Sequence, residues 1–229
     1  MKRTLLASAA LALTLAACQG KKTSNDETQA DTTQVADQSA PQLPEVDITP
    51  IHAALPCSKT ELDKAWQEAA LQCGMDDWTF SPEAYLLIDV DGDAHPELFV
   101  QGGGLYAAYL VDEGELQLLC TAIGEYAAIA VAPYTIAQIT ESGFEAGWGV
   151  FTYYHIEHSS LQHYLEHSIA CDPDAAPDAT EPKITYMLGG EGFAEQLQEI
   201  SEDYAAHYLP QHEPVRIAQF REDWMSIGD

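Results

Sequence analysis

The chain predicts an α+β fold, an antiparallel β-sheet of hairpins and meanders covered by one N-terminal and one C-terminal amphipathic helix. Three patterns predict it. Between residues 85 and 188, short apolar runs with period-two alternation are separated by turns rich in Gly, Pro, Asp and Ser. Helical spacing of apolar residues precedes that region, and a second helical stripe follows it.

The first helix is the best marked. Ser58-Lys59-Thr60-Glu61 has the form of a capping box, and Leu62, Ala65, Trp66, Ala69, Ala70 and Cys73 recur at helical spacing before Gly74, giving a helix over 59–73. Apolar runs at Tyr85–Ile88 and Leu98–Val100 then flank an acidic loop. Tyr106–Val111 and Glu115–Cys120 pair across Asp112-Glu113-Gly114, and Tyr126–Val131 and Thr135–Thr140 pair across a Pro133 corner. The longest β run, Gly147–His158, is apolar on both faces and suits a central strand; Ser159-Ser160 turns it into Leu161–Ala170. Residues 172–182, with Pro173, Pro177 and Pro182, form a surface loop. Lys183–Leu188 adds a strand, after which Phe193, Leu197, Ile200, Tyr204 and Tyr208 form the stripe of the closing helix.

The acidic loop carries the chemistry. Asp89-Val90-Asp91-Gly92-Asp93-Ala94-His95-Pro96-Glu97 places carboxylates at relative positions 1, 3, 5 and 9, with the His95 carbonyl at position 7. Calcium takes six to eight oxygen ligands at about 2.3–2.6 Å, and a loop curling round the ion presents its odd-numbered positions inward. Gly92 supplies positive φ where the loop turns, and four like charges this close repel unless a cation lies among them. Ala94 and Val100 stand where an EF-hand needs Gly and a bidentate Glu. The stretch instead resembles the shorter calcium loop of FG-GAP, VCBS and integrin-like repeats, D-x-D-G-D-G-x-x-E/D between two strands. That resemblance implies Asp89, Asp91, Asp93 and Glu97 as side-chain ligands, and it covers residues 89–97 alone. Ala94 departs from the second Gly of the pattern and adds strain of roughly 1 kcal/mol if it is left-handed.

At the N-terminus, Lys2 and Arg3 precede an apolar run from Leu5 to Leu15, the form of a secretory signal too short to span a bilayer permanently. Leu15-Ala16-Ala17-Cys18 resembles the bacterial lipobox. The resemblance implies a signal peptide over 1–17, lipid on Cys18, and attachment to the membrane of a bacterial cell envelope, with Gln19 favouring the outer membrane. Residues 18–50, polar and poor in large apolar side chains, read as the lipidated Cys and a disordered tether, leaving 51–229 as a single α+β domain. Losing Lys2 and Arg3 with residues 1–17 leaves 7 basic against 37 acidic residues, a formal charge of 7 − 37 = −30. Such a surface repels nucleic acid and attracts divalent cations.

Four further cysteines, Cys57, Cys73, Cys120 and Cys171, are disulfide candidates in an oxidising compartment. A helix over 59–73 holds Cys57 and Cys73 about 24 Å apart, beyond bonding reach. Two arrangements remain, 57–120 with 73–171 or 57–171 with 73–120, besides four reduced core thiols.

His163-Tyr164-Leu165-Glu166-His167 matches H-x-x-E-H, the zinc motif of inverzincin peptidases. That chemistry needs a helix, so that both histidines lie one turn apart beside the glutamate. Leu161, Tyr164, Leu165 and Ile169 fit a helix that Ser159 and Gln162 could cap, but alternation of Leu161, His163, Leu165, His167 and Ile169 fits a strand as well, and the Ser-Ser turn favours the hairpin, which spaces the histidines about 13 Å apart. Across a Ser159-Ser160 turn, His155 faces Tyr164 and His158 faces Leu161, so no histidine pair is opposed. The expectation is a lipid-anchored envelope protein that binds one structural calcium ion and acts as a binding or scaffold module toward an envelope partner. The alternative is a zinc-dependent hydrolase built on His163, Glu166 and His167.

Overall fold

Alternation and hairpin turns dominate the architecture. The computed structural model describes residues 43–75, 79–141, 149–170, 183–190 and 197–228, all within one unit spanning 40–229. The elements run α1 (Lys59–Gln72), β1 (Ala84–Ile88), β2 (Glu97–Gly102), β3 (Leu105–Asp112), β4 (Glu115–Ile123), β5 (Ala127–Ala132), β6 (Thr135–Glu141), β7 (Gly149–Glu157), β8 (Ser160–Ala170), β9 (Lys183–Gly190), β10 (Gln198–Ile200), the single turn α2 (Glu202–Ala205), β11 (Val215–Arg216), a 3₁₀ turn (Ile217–Gln219) and β12 (Met225–Ser226).

The strands form two antiparallel sheets, β12-β1-β2-β3-β4 and β10-β9-β8-β7-β6-β5-β11. Leu86, Ile88, Phe99 and Leu110 of the first sheet share one buried cluster with Ile129, Val131, Ile136 and Ile156 of the second. That cluster is the core between the sheets. On the other face of the first sheet, Leu87, Leu98, Val100 and Tyr109 pack against Leu62, Trp66 and Ala69 of α1. Helix α1 begins where the sequence requires: Ser58 Oγ accepts the Glu61 N–H at 3.2 Å, and Glu61 accepts the Ser58 N–H at 3.0 Å. Trp66 Nε1 donates to the Phe80 carbonyl, and Tyr109 Oη donates to the Ala65 carbonyl, so the helix is fixed by polar contacts as well as by burial.

The expected α+β class, one sheet under two amphipathic helices, is corrected to a mostly β fold of two sheets. Among the described residues α1 is the only helix longer than one turn. The C-terminal stripe does not form a helix because its members have different duties. Gln198–Ile200 pairs with β9 and covers that edge; Ile200 and Tyr208 pack on the Leu165, Tyr186 and Leu188 cluster, while Leu197 and Tyr204 stay 38% and 46% exposed, so the whole stripe is not buried as one face. Phe193 lies outside the described residues.

The β7–β8 connection also differs. His158 and Ser159, with φ of 52° each, occupy the turn between paired Glu157 and Ser160, one residue earlier than the Ser159-Ser160 turn expected from sequence. An irregularity then leaves Gln162 unpaired and sets His155 directly opposite His163.

Cys57, Cys73 and Cys120 are free thiols. Cys120 points into the inter-sheet core, whereas Cys57 and Cys73 pack on the α1 side of the same sheet, where Cys73 Sγ contacts Thr121 Oγ1 at 3.2 Å. Alternation along β4 thus separates Cys120 from both expected partners. Cys171 lies outside the described residues, as do Cys18 and the whole of 1–42. Among the described residues no helix is long and apolar enough to cross a membrane.

Candidate metal centre

The acidic loop closes the β1–β2 hairpin, with Ile88 paired to Glu97 at its base. Its carboxylates organise the backbone around them. Asp89 Oδ1 and Oδ2 accept the N–H groups of Gly92 at 2.7 Å and Ala94 at 2.9 Å; Asp91 Oδ1 accepts the Asp93 N–H at 3.2 Å; Asp93 Oδ1 accepts the His95 N–H at 2.7 Å. These short-range bonds coil the chain so that one carboxyl oxygen from each of Asp89, Asp91 and Asp93 lies within 4.8 Å of the others. Ala94 is left-handed at φ 70°, the strained state that its substitution for glycine implied. The backbone at Gly92, with φ 77°, suits glycine, and a Cβ there would lie 3.2 Å from Val46 Cγ2 of the N-terminal segment, so the valine would have to give.

The second sheet grips the loop from outside. Ser159, in the β7–β8 turn, donates its N–H to Asp91 Oδ2 at 3.0 Å and its hydroxyl to Asp93 Oδ2 at 3.1 Å. Tyr134, in the β5–β6 turn, donates its N–H to the Val90 carbonyl at 2.6 Å. Neither residue was singled out for this role from sequence. Their contacts cross 68 and 44 positions, and only the positive φ demanded by both turns marks them locally.

Glu97 is the anomaly of the site. It is fully buried; Oε2 accepts the Val90 N–H at 2.9 Å, and Oε1 has no hydrogen-bond partner. Burial, with the charges of Asp91 and Asp89 adding to it, pushes its carboxyl up to about 8. Desolvation also raises Asp91, which is 8% exposed, and the neighbouring Asp93 and Asp89 add to the rise. His95 turns its ring outward, 3.5 Å from Asp93 Oδ1. The structure therefore brings together Asp89, Asp91 and Asp93, buries Glu97 at the base of the hairpin outside that group of three, and leaves the His95 imidazole outside as well. A group of three carboxylates at this spacing could hold a metal ion.

The other sequence motif does not assemble. His163, Glu166 and His167 lie on β8, where alternation puts Glu166 on the face opposite both histidines. His167 stacks on Tyr186 with ring centroids 4.8 Å apart, while His163 stacks on His155 at 4.7 Å. Among the described residues, no histidine joins a metal-competent cluster.

Comparison of the chain with family models, with curated proteins and with solved structures finds no match. The site is accordingly read from its own chemistry.

Proposed function

We propose that Asp89, Asp91 and Asp93 hold one calcium ion, with Glu97 as a further carboxylate ligand and the His95 carbonyl completing the loop's contribution. The donor set supports this reading because it is all oxygen. Hard cations take carboxylates and carbonyls, whereas zinc and copper sites draw on imidazole or thiolate. The observation that carries the proposal is the convergence of three carboxylates in a loop whose base holds a buried Glu97 with an unpartnered Oε1. A buried carboxylate oxygen is costly unless a donor or a cation satisfies it. Each Asp oxygen already accepting an N–H or O–H retains further lone-pair capacity, so the bonds that shape the loop do not consume its ligands.

Asp91 and Asp93 are also the residues that Ser159 holds. An ion on this loop would tie the β1–β2 hairpin to the tip of β7–β8, stabilising the apposition of the two sheets. The role is structural, and the output of the protein is binding to an envelope partner rather than catalysis. Attachment through lipid on Cys18 is part of the same proposal; its support is Lys2, Arg3, the apolar run to Leu15 and the Cys that follows Ala17. Titration calorimetry on chelator-stripped protein is expected to show one saturable calcium site, and no heat at millimolar calcium would refute it. Labelling with a tagged fatty acid, lost in Cys18→Ser, tests the anchor.

A further inference from the structure

A cavity of about 470 Å³ opens between Leu43–Glu45, the β5–β6 turn, β7–β8 and the turn at 207–212. Its volume lies within the range of small-molecule sites. One wall is a row of rings. Tyr134 stacks over His155 with centroids 6.1 Å apart, His155 lies on His163 at 4.7 Å and 17°, and Tyr208 meets His163 edge to face at 5.0 Å. Glu157 fixes the row from below, its Oε1 3.0 Å from His155 Nε2. The remaining wall adds Glu45, His207, Gln211 and His212, and no Lys or Arg lines the space.

This lining selects by charge. An anion would meet two carboxyls inside a chain of net charge −28. A purely apolar molecule would cover Glu45 and the Glu157 oxygen that His155 does not hold without pairing them, at a cost in desolvation. A bare metal ion is poorly served, because His155, Glu157 and His163 do not form a convergent set; among the described residues only the three aspartates do. An organic cation meets both demands, its charge facing the carboxyls and its carbon skeleton lying along the rings. We infer that this cavity binds a small organic cation, an amine or guanidinium compound, independently of the ion on the loop.

Calorimetric titration of the full chain in saturating calcium, at about pH 7.5, tests this with agmatine, spermidine and choline as probes, against citrate and glucose. The expected result is saturable binding of at least one of the cations with Kd below ~1 mM and none of citrate or glucose. Glu157→Gln and Tyr208→Leu should each weaken it ~10-fold, with an unchanged circular dichroism spectrum showing that the fold persists. Absence of binding by all three cations overturns the inference. So does equal binding of glucose, which would make the cavity a carbohydrate site, or one-for-one displacement of the cation by calcium. Repetition in chelator separates this site from the loop: retained cation binding supports it, and loss of binding overturns its independence whatever the fate of the calcium proposal.

Discussion

Two stretches of this chain carry the residues of a metal site, and only one becomes a cluster. The loop 89–97 shapes its turn locally, since each aspartate accepts N–H groups from residues two to five positions ahead, and Ser159 and Tyr134 then hold that turn from the second sheet. The stretch 163–167 needs a helix, and β8 receives a strand because β7 and β9 pair on either side of it. A motif whose geometry is made mainly by local hydrogen bonds depends little on the secondary structure around it. One that presupposes a secondary structure is hostage to the sheet.

The contrast would be sharpened most by calcium itself. At a thousandfold excess over Kd, binding to the folded state alone adds about 4 kcal/mol, a rise in Tm of roughly 10 °C for a chain of this size. Asp91→Ala is expected to abolish that rise in a thermal melt. If the variant still responds fully, the loop is not the site.

Acid should strike the histidine region instead. Burial, reinforced by His155 and opposed by Glu157, lowers His163 to about 4. A base held neutral in the fold and titrating near 6.5 when unfolded contributes stability above that pH, and the contribution is lost as pH falls from 6.5 toward 4. Up to about 3 kcal/mol, reduced by solvent screening of the partly exposed ring, should disappear across that window, and His163→Phe should flatten the corresponding part of the denaturation profile. An unchanged profile would mean that His163 is not held neutral by its surroundings.

A smaller effect belongs to Ala94. Because its φ is 70°, Ala94→Gly should stabilise the protein by about 1 kcal/mol in chemical denaturation and tighten calcium binding. Smallest of all is the response of the rejected motif: zinc titrated with His163→Ala and His167→Ala variants should match the parent chain, because the two rings stack on different partners. A zinc-dependent difference between them would reinstate the motif.

Much of this was legible beforehand for a common reason. The capping box at Ser58, the hairpins around Glu113-Gly114 and Pro133, and the aspartate spacing of the loop are all short-range devices whose partners lie within a few residues. The C-terminal stripe misled because helical spacing alone does not show whether those side chains share a buried face; here Ile200 and Tyr208 do, and Leu197 and Tyr204 do not. The histidine pair was hidden by one unpaired residue, Gln162, which shifts the register of everything beyond it.

By itself, then, the sequence determined the local objects: a capped helix, a set of hairpins and a loop of converging aspartates, each closed by bonds within one stretch of chain. Tertiary structure alone decided that the strands split into two facing sheets, that Ser159 and Tyr134 reach across to the acidic loop, and that Glu97 is buried at its base. Those outcomes depend on which apolar faces meet, and burial of one face against another is a property of the whole chain rather than of any segment.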